Sequence, residues 1–283
     1  MVKNKLLVEK SDGIIEIFDN AKLKKSLTNS NCSIVLANEI ADYVEKQISE
    51  NTVKMSTEEI YKLAFDKLKN TEKKTAARYS LRRSLLGLGP TGFPFEKFIS
   101  KIFDRKGYKT RIGVTLSGNC VSHEVDVAAG DEDDLILCEV KFHNDLRTKS
   151  DTKVALYIKA RYDDLKDREF NLFGKKMKPT RGVIITNTKF TNNAKKYARC
   201  VDLGMISWDY PRKGNLYDLI EETGLQPITS LVSISKSETE RIIKEGIVDC
   251  EGLINSTKLL SELGLPDNKI SKIIHEAREI CSK

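Results

Sequence analysis

From His123 to Lys141 the chain reads HEVDVAAGDEDDLILCEVK. Three side chains here have the types and spacing to act on an anionic ester. Val125 and Val127 alternate with Asp126 and Ala128, the period of a β-strand. Leu135 to Val140 is an apolar run of strand propensity broken by one acid, Glu139. Gly130 to Asp134 is the turn between them. Residues two apart on a strand face the same side, so Glu139 and Lys141 project together. If Asp126 ends the partner strand nearby, two carboxylates and one ammonium surround a common point. Phosphodiester hydrolysis needs such a set. A hard cation such as Mg²⁺ takes carboxylate oxygens and keeps several waters. It polarises the phosphate and lowers the pKa of a bound water. A lysine beside it positions the nucleophile or offsets charge on the pentacovalent transition state.

A plainer reading makes Glu139 and Lys141 solvated groups on an edge strand, ordinary in a chain that is 31% charged. The run Leu135, Ile136, Leu137, Cys138 argues against it. Such a run is a buried central strand, where unpaired charge is costly. The pair then belongs at the strand's exit into a cleft.

The 283 residues suggest about two domains, and 40% hydrophobic content is enough for real cores. No apolar run approaches the ~20 residues of a membrane span. The opening MVKNKLLVEK has no long apolar core and does not read as a signal peptide. The six cysteines lie far apart with no C-x-x-C, and Cys138 and Cys200 sit in apolar patterns. Reduced thiols in a cytoplasmic protein, and no zinc site, are expected. The three histidines show no H-x-x-x-H spacing. A net charge of +7 permits a polyanionic partner without requiring one.

Three segments must frame the central motif: 1–88, 89–226 and 227–283. In the first, Leu6 to Val8 and Ile14 to Phe18 read as short strands around a Ser11-Asp12-Gly13 turn. Asp19 can cap a helix carrying Leu23 and Leu27. A second helix covers about residues 34 to 48. Ser56-Thr57-Glu58-Glu59 is a capping-box pattern opening a third, and a fourth runs from about residue 71 to 86. The string VEKSDGIIEIFDNAKL, with the helices that follow and the closing AARYSLRRSL, resembles an ATP-cone. That is the nucleotide-sensing domain of ribonucleotide reductases and of their transcriptional repressor. The resemblance implies that Lys10, Glu16, Lys22 and Thr57 contact ATP or dATP as an allosteric ligand. Two ammonium groups near a hairpin suit a triphosphate, and a helix N-terminus adds partial positive charge. Ser11 stands where that family usually has a second basic residue. The resemblance implies that the nucleotide regulates and is not hydrolysed, and no G-x-x-x-x-G-K-[ST] loop is present.

Gly87, Gly89 and Pro90 form a breaker cluster, and a helix with Phe95, Phe98, Ile99, Ile102 and Phe103 on its apolar side follows. Glu96 sits among them, and as a first-turn acid it would also suit the helix dipole. The elements then run αβββαβαβα, a mixed sheet flanked by helices. The pieces Gly92-Phe93-x-Phe95-Glu96, Val125-Asp126-Val127, Cys138-Glu139-Val140-Lys141 and ITNTKFTNNAKKYA resemble restriction-endonuclease-like nucleases of the Mrr type, over about residues 93–220. The resemblance implies that Asp126 and Glu139 ligate Mg²⁺ or Mn²⁺, and that Lys141 positions or activates water. Glu96 would add a ligand or hold a metal-bound water. Many members of that type carry glutamine at the position of Glu139.

Other residues are read more plainly. Asp131, Glu132, Asp133 and Asp134 are a solvated hairpin tip. His123 serves structure or DNA contact, and His143 touches phosphate or is simply exposed. Lys153, Lys159 and Arg161 flank a long helix as DNA contacts or as a solvated face, and Trp208 is core. Beyond Pro227, four short helical segments end in a helix from Asp267 to Ile280. They are similar to helix-hairpin-helix segments of DNA-repair proteins, with Gly264 alone of the usual glycine pair. A small helical docking module fits as well.

The expectation is therefore a multidomain α and α/β chain. An N-terminal helical ATP-cone with a β-hairpin lid precedes a central αβββαβ restriction-endonuclease-like mixed sheet and a small C-terminal helical domain. The expected activity is a metal-dependent DNA endonuclease, of restriction or repair, regulated by ATP or dATP. Its partners would be DNA and adenine nucleotide, with no membrane, in a homo-oligomer. Two alternatives stay open. One is a nucleotide-regulated module that binds DNA without cutting it. The other is a regulator in which the cone drives assembly and the middle domain only dimerises.

Overall fold

The computed structural model describes residues 6–10, 12–50 and 54–281. Two compact units divide between Leu81 and Arg82.

In the first unit, strands β1 (Leu7–Glu9) and β2 (Ile15–Ile17) form an antiparallel hairpin, with Val8 opposite Glu16. Gly13 takes the left-handed φ of 81° that this turn needs, and its N–H donates to the Lys10 carbonyl. Ser11 of the expected turn lies outside the described residues. Helices α1 (Asn20–Thr28) and α2 (Ile34–Glu50) follow. Asp19 caps α1 by accepting from the Lys22 N–H. A third strand, β3 (Met55–Ser56), leads into α3 (Thr57–Thr71) and α4 (Lys73–Leu86). It pairs parallel to β1, so the sheet order is β2-β1-β3. Ser56 and Glu59 complete the capping box at α3, a device worth about 1 kcal/mol. Leu27, Ala41, Val44, Ala64 and Leu68 form the buried seam of the helices.

The second unit begins in the last turn of α4. Helix α5 (Phe93–Arg105) buries Phe95, Phe98, Ile99 and Ile102, at roughly 1.5–3 kcal/mol for each large side chain. Strands β4 (Lys109–Ser117), β5 (Ser122–Gly130) and β6 (Leu135–Lys141) follow as an antiparallel meander. The short β7 (Lys149–Ser150) precedes α6 (Thr152–Leu165), capped by Asp151. A small hairpin, β8 (Phe170–Leu172) with β9 (Lys175–Met177), leads to β10 (Arg181–Thr186). Then come β11 (Lys189–Phe190), α7 (Asn192–Cys200), β12 (Gly204–Ile206) and α8 (Leu216–Thr223). The main sheet has the order β12-β10-β6-β5-β4, with β6 at its centre, antiparallel to β5 and parallel to β10. This is the expected mixed α/β arrangement.

A 3₁₀ turn and four helices complete the unit: α9 (Lys236–Lys244), α10 (Cys250–Ile254), α11 (Thr257–Glu262) and α12 (Asp267–Cys281). They are tied to the sheet-bearing part by charge as well as packing. Lys101 of α5 reaches the fully buried Asp249 at 2.8 Å, and Arg105 of α5 pairs with Glu251 of α10. The Glu276 carboxylate accepts the N–H groups of Val232 and Ser233, both at 2.9 Å. Among the described residues, no helix is long and apolar enough to cross a membrane.

Candidate active site

The pairing of β5 with β6 runs from Gly130↔Leu135 to Val127↔Cys138 and ends there. Asp126 is the next residue outward, opposite Glu139. The Val140 N–H, with no strand partner on that side, donates instead to Asp126 Oδ2 at 2.7 Å. A carboxylate thus replaces a ladder carbonyl where the strands part, and its other oxygen is left for chemistry.

Glu139 is 7% exposed on the central strand. Its Oε1 accepts from Lys141 Nζ, the i, i+2 pairing that the strand period dictates. Its Oε2 accepts from Arg161 Nη1 of α6 at 2.6 Å. A second Arg161 nitrogen donates to the Glu124 carbonyl. Glu96 enters from the first turn of α5, where Gly92 leaves room for it. A Cβ on Gly92 would stand 3.2 Å from Glu96 Oε1. The Phe95 and Phe142 rings, 5.5 Å apart, hold the start of α5 against the exit of β6.

Crowding leaves an electrostatic signature. Burial pushes the Glu96 carboxyl up to about 7, and Asp126, Glu124 and Glu139 add like-charge repulsion that Lys141 only partly offsets. Burial, then Glu139, also raises Asp126 against the opposing effect of the Val140 N–H, Lys141 and Arg161. Hard oxygen donors that repel one another are what a divalent cation relieves, so the donor set suits Mg²⁺ or Mn²⁺ in kind. Among the described residues, no three or more His, Cys, Asp or Glu form a ready-made cation cage. Mg²⁺ characteristically binds through one or two carboxylates and retains water, which two acids satisfy.

Glu96, Asp126, Glu139 and Lys141 therefore converge. Arg161 joins them from α6. Its place on the flank of a helix suits a solvated or DNA-facing charge, yet its side chain is only 15% exposed. No sequence spacing links it to Glu139, and only the packing of α6 does. The hairpin tip also differs from expectation at one end. Asp131 accepts the N–H groups of Asp133 and Asp134, while Asp134 turns inward to Tyr108, Thr180 and Arg181. His123 Nε2 donates to the Asp164 carboxylate of α6 at 2.8 Å, a structural tie. His143 pairs with Ser150 at 2.9 Å, and burial followed by Lys141 lowers its pKa. Trp208 is half-buried, edge-on to Tyr217, and Cys200 is exposed, because each lies at a margin of the sheet layers.

In the first unit, Lys10 Nζ meets Glu16 Oε1 at 2.5 Å across the hairpin. Glu9 pairs with Ser56 in the β1–β3 ladder, which sets Thr57, the first residue of α3, beside Lys10. Lys22 stands exposed in the first turn of α1 with Asp19 at 3.9 Å. The two-residue β3, absent from the sequence reading, joins Thr57 to the hairpin.

The ATP cone domain family matches residues 6–86, the Mrr-type restriction endonuclease family residues 90–212, and the AF1548-like C-terminal family residues 227–281. An uncharacterized protein of Archaeoglobus fulgidus is 33% identical over 183 residues, which are 64% of this chain and 99% of that one. The crystal structure of the protein of unknown function AF1548 superposes with a TM-score of 0.54 at 32% identity, covering 68% of this chain and 98% of that one. MspJI restriction endonuclease in complex with a 27-mer oligonucleotide aligns at a TM-score of 0.31 and 14% identity, over 60% of this chain and 39% of that one. The chain belongs to the AF1548-like family, and it joins an ATP-cone to a restriction-endonuclease domain.

Proposed function

We propose that this protein is a divalent-metal-dependent DNA endonuclease whose activity is set by ATP or dATP at its cone. The observation that carries the reading is the meeting of Asp126, Glu139 and Lys141 where β5 and β6 part, with Glu96 closing the group from α5. Asp126 and Glu139 would hold Mg²⁺ or Mn²⁺, and Glu96 is a further oxygen donor. When bound, the ion supplies Lewis-acid polarisation of the phosphate and a more acidic water. Lys141 holds an ammonium against the anionic substrate and steadies charge that grows on the phosphate oxygens. Glu96, titrating near neutrality, is placed to take or give a proton at the same point.

In this reading residues 1–88 sense nucleotide, 89–226 cut DNA and 227–283 support the cutting unit, in a cytoplasmic homo-oligomer. Lys10, Lys22 and Thr57 contact the phosphates, with Glu16 positioning Lys10. Regulation requires that the nucleotide distinguish two states of the protein.

One observation favours a second reading, a DNA-binding module without cleavage: both Glu139 oxygens already bond to cations of the protein. Incubation with supercoiled plasmid separates the two. Nicking or linearisation that depends on Mg²⁺ or Mn²⁺, stops with chelator and is lost in Asp126→Ala is the expected result. Retarded migration without scission, under every metal and nucleotide condition, would select the binding module.

A further inference from the structure

Arg161 approaches the acidic site from α6, outside the strand motif, and its guanidinium lies 5.4 Å from the ring of Tyr157 one turn earlier. Its Nη1 stands 2.6 Å from Glu139 Oε2, while Lys141 takes Oε1. A guanidinium and a divalent ion compete for the same carboxylate lone pairs, and the two cations repel at such separations. We propose that Arg161 is an internal competitor for the Glu139 carboxylate, a guanidinium that a divalent cation must displace from Oε2 before Glu139 can act as a full ligand. The proposal rests on the reading of Asp126 and Glu139 as metal ligands.

The geometry leaves Arg161 somewhere to go. Its neighbours on the outer side are the exposed Tyr157 and the Glu124 backbone, not a closed core. A phosphodiester drawn into the cleft would offer the released guanidinium a bidentate anionic partner. Cation entry would then be easier with substrate present than without it, which makes the metal and the DNA mutually reinforcing ligands. The helix does not depend on this contact for its place. Asp164, one turn on, accepts from His123 and from the Cys120 N–H, each at 2.8 Å.

A residue that merely orients a metal ligand gives the opposite signature. Losing such a partner weakens metal binding about 10–100-fold. Losing a competitor tightens it. The test is a titration of the full-length, DNA-free chain with Mn²⁺, reading free ion by electron paramagnetic resonance. Arg161→Met keeps the apolar stem and removes the charge; Arg161→Lys keeps the charge. Thermal unfolding of each variant checks that it is folded. Expected are affinity at least about tenfold tighter in Arg161→Met, from loss of one charged hydrogen bond to Glu139, near-native affinity in Arg161→Lys, and weaker binding in Asp126→Ala. Equal or weaker binding in a folded Arg161→Met overturns the competitor while leaving the metal site intact. Binding by neither the native chain nor Arg161→Met, or binding unaffected by Asp126→Ala, overturns the metal-ligand reading and the competitor with it.

Discussion

Two of the lysine–glutamate pairs share a chemistry but stand in unlike surroundings. Lys10 and Glu16 join across the cone hairpin, each side chain 41% exposed. Glu139 and Lys141 join along a central strand, the glutamate side chain 9% exposed and claimed again by Arg161. Water screens the first pair, so it holds the hairpin with under about 1 kcal/mol and can be re-partnered cheaply by an incoming phosphate. The second has lost most of its hydration and must stay compensated, so its carboxylate changes partners only by exchanging one cation for another. In the proposed reading the first arrangement serves a sensor and the second a cation site.

The comparison can be broken in several ways. The largest effect is expected at Lys141→Ala, where plasmid cleavage falls by at least about a hundredfold while circular dichroism stays native, as for loss of a charge-stabilising group. Next come the two glutamates. Glu139→Ala leaves Arg161 and Lys141 with only Asp126 and Glu96 to face, and should cost about 2 kcal/mol in denaturant unfolding. Glu16→Ala should cost less than about 1 kcal/mol. Equal costs would erase the distinction. Lys10→Ala should weaken ATP or dATP binding about tenfold by calorimetry, from one lost charged hydrogen bond, with little change in unfolding.

A further effect is in pH dependence. Glu96 titrates at about 7 in the folded chain against an ordinary 4.5. A carboxyl raised on folding holds its proton more tightly in the native state, so its ionisation opposes folding. The native state bears no penalty from this group below 4.5 and loses stability as pH rises from there through about 7. Glu96→Gln should therefore melt a few degrees higher than the native chain at pH 8 and equally at about pH 4. The same melting difference at both pH values would remove the crowded-carboxylate account.

Much of this was legible beforehand, because short-range periodicity writes it. The alternation around Asp126, the apolar run into Glu139 and the i, i+2 placing of Lys141 need only the strand repeat. The capping box at Ser56 and the cap at Asp19 are likewise local. What escaped depends on partners distant in sequence. Arg161 meets Glu139 because α6 crosses the strand exit, and nothing within α6 announces it. β3 is two residues long, below what any period can reveal, yet it brings Thr57 to Lys10. The β8–β9 hairpin is similarly short. Asp249 caps α10 and is also the buried partner of Lys101, a contact that no local spacing announces.

The most direct test places both pairs in one assay. Supercoiled plasmid is incubated with Mg²⁺, without ATP and with ATP at graded concentrations, using the native chain, Lys10→Ala and Asp126→Ala. The account predicts no cleavage by Asp126→Ala in either condition, and cleavage by Lys10→Ala that needs about tenfold more ATP for the same response. Cleavage by Asp126→Ala at the native rate, or an undiminished ATP response in Lys10→Ala, would contradict it.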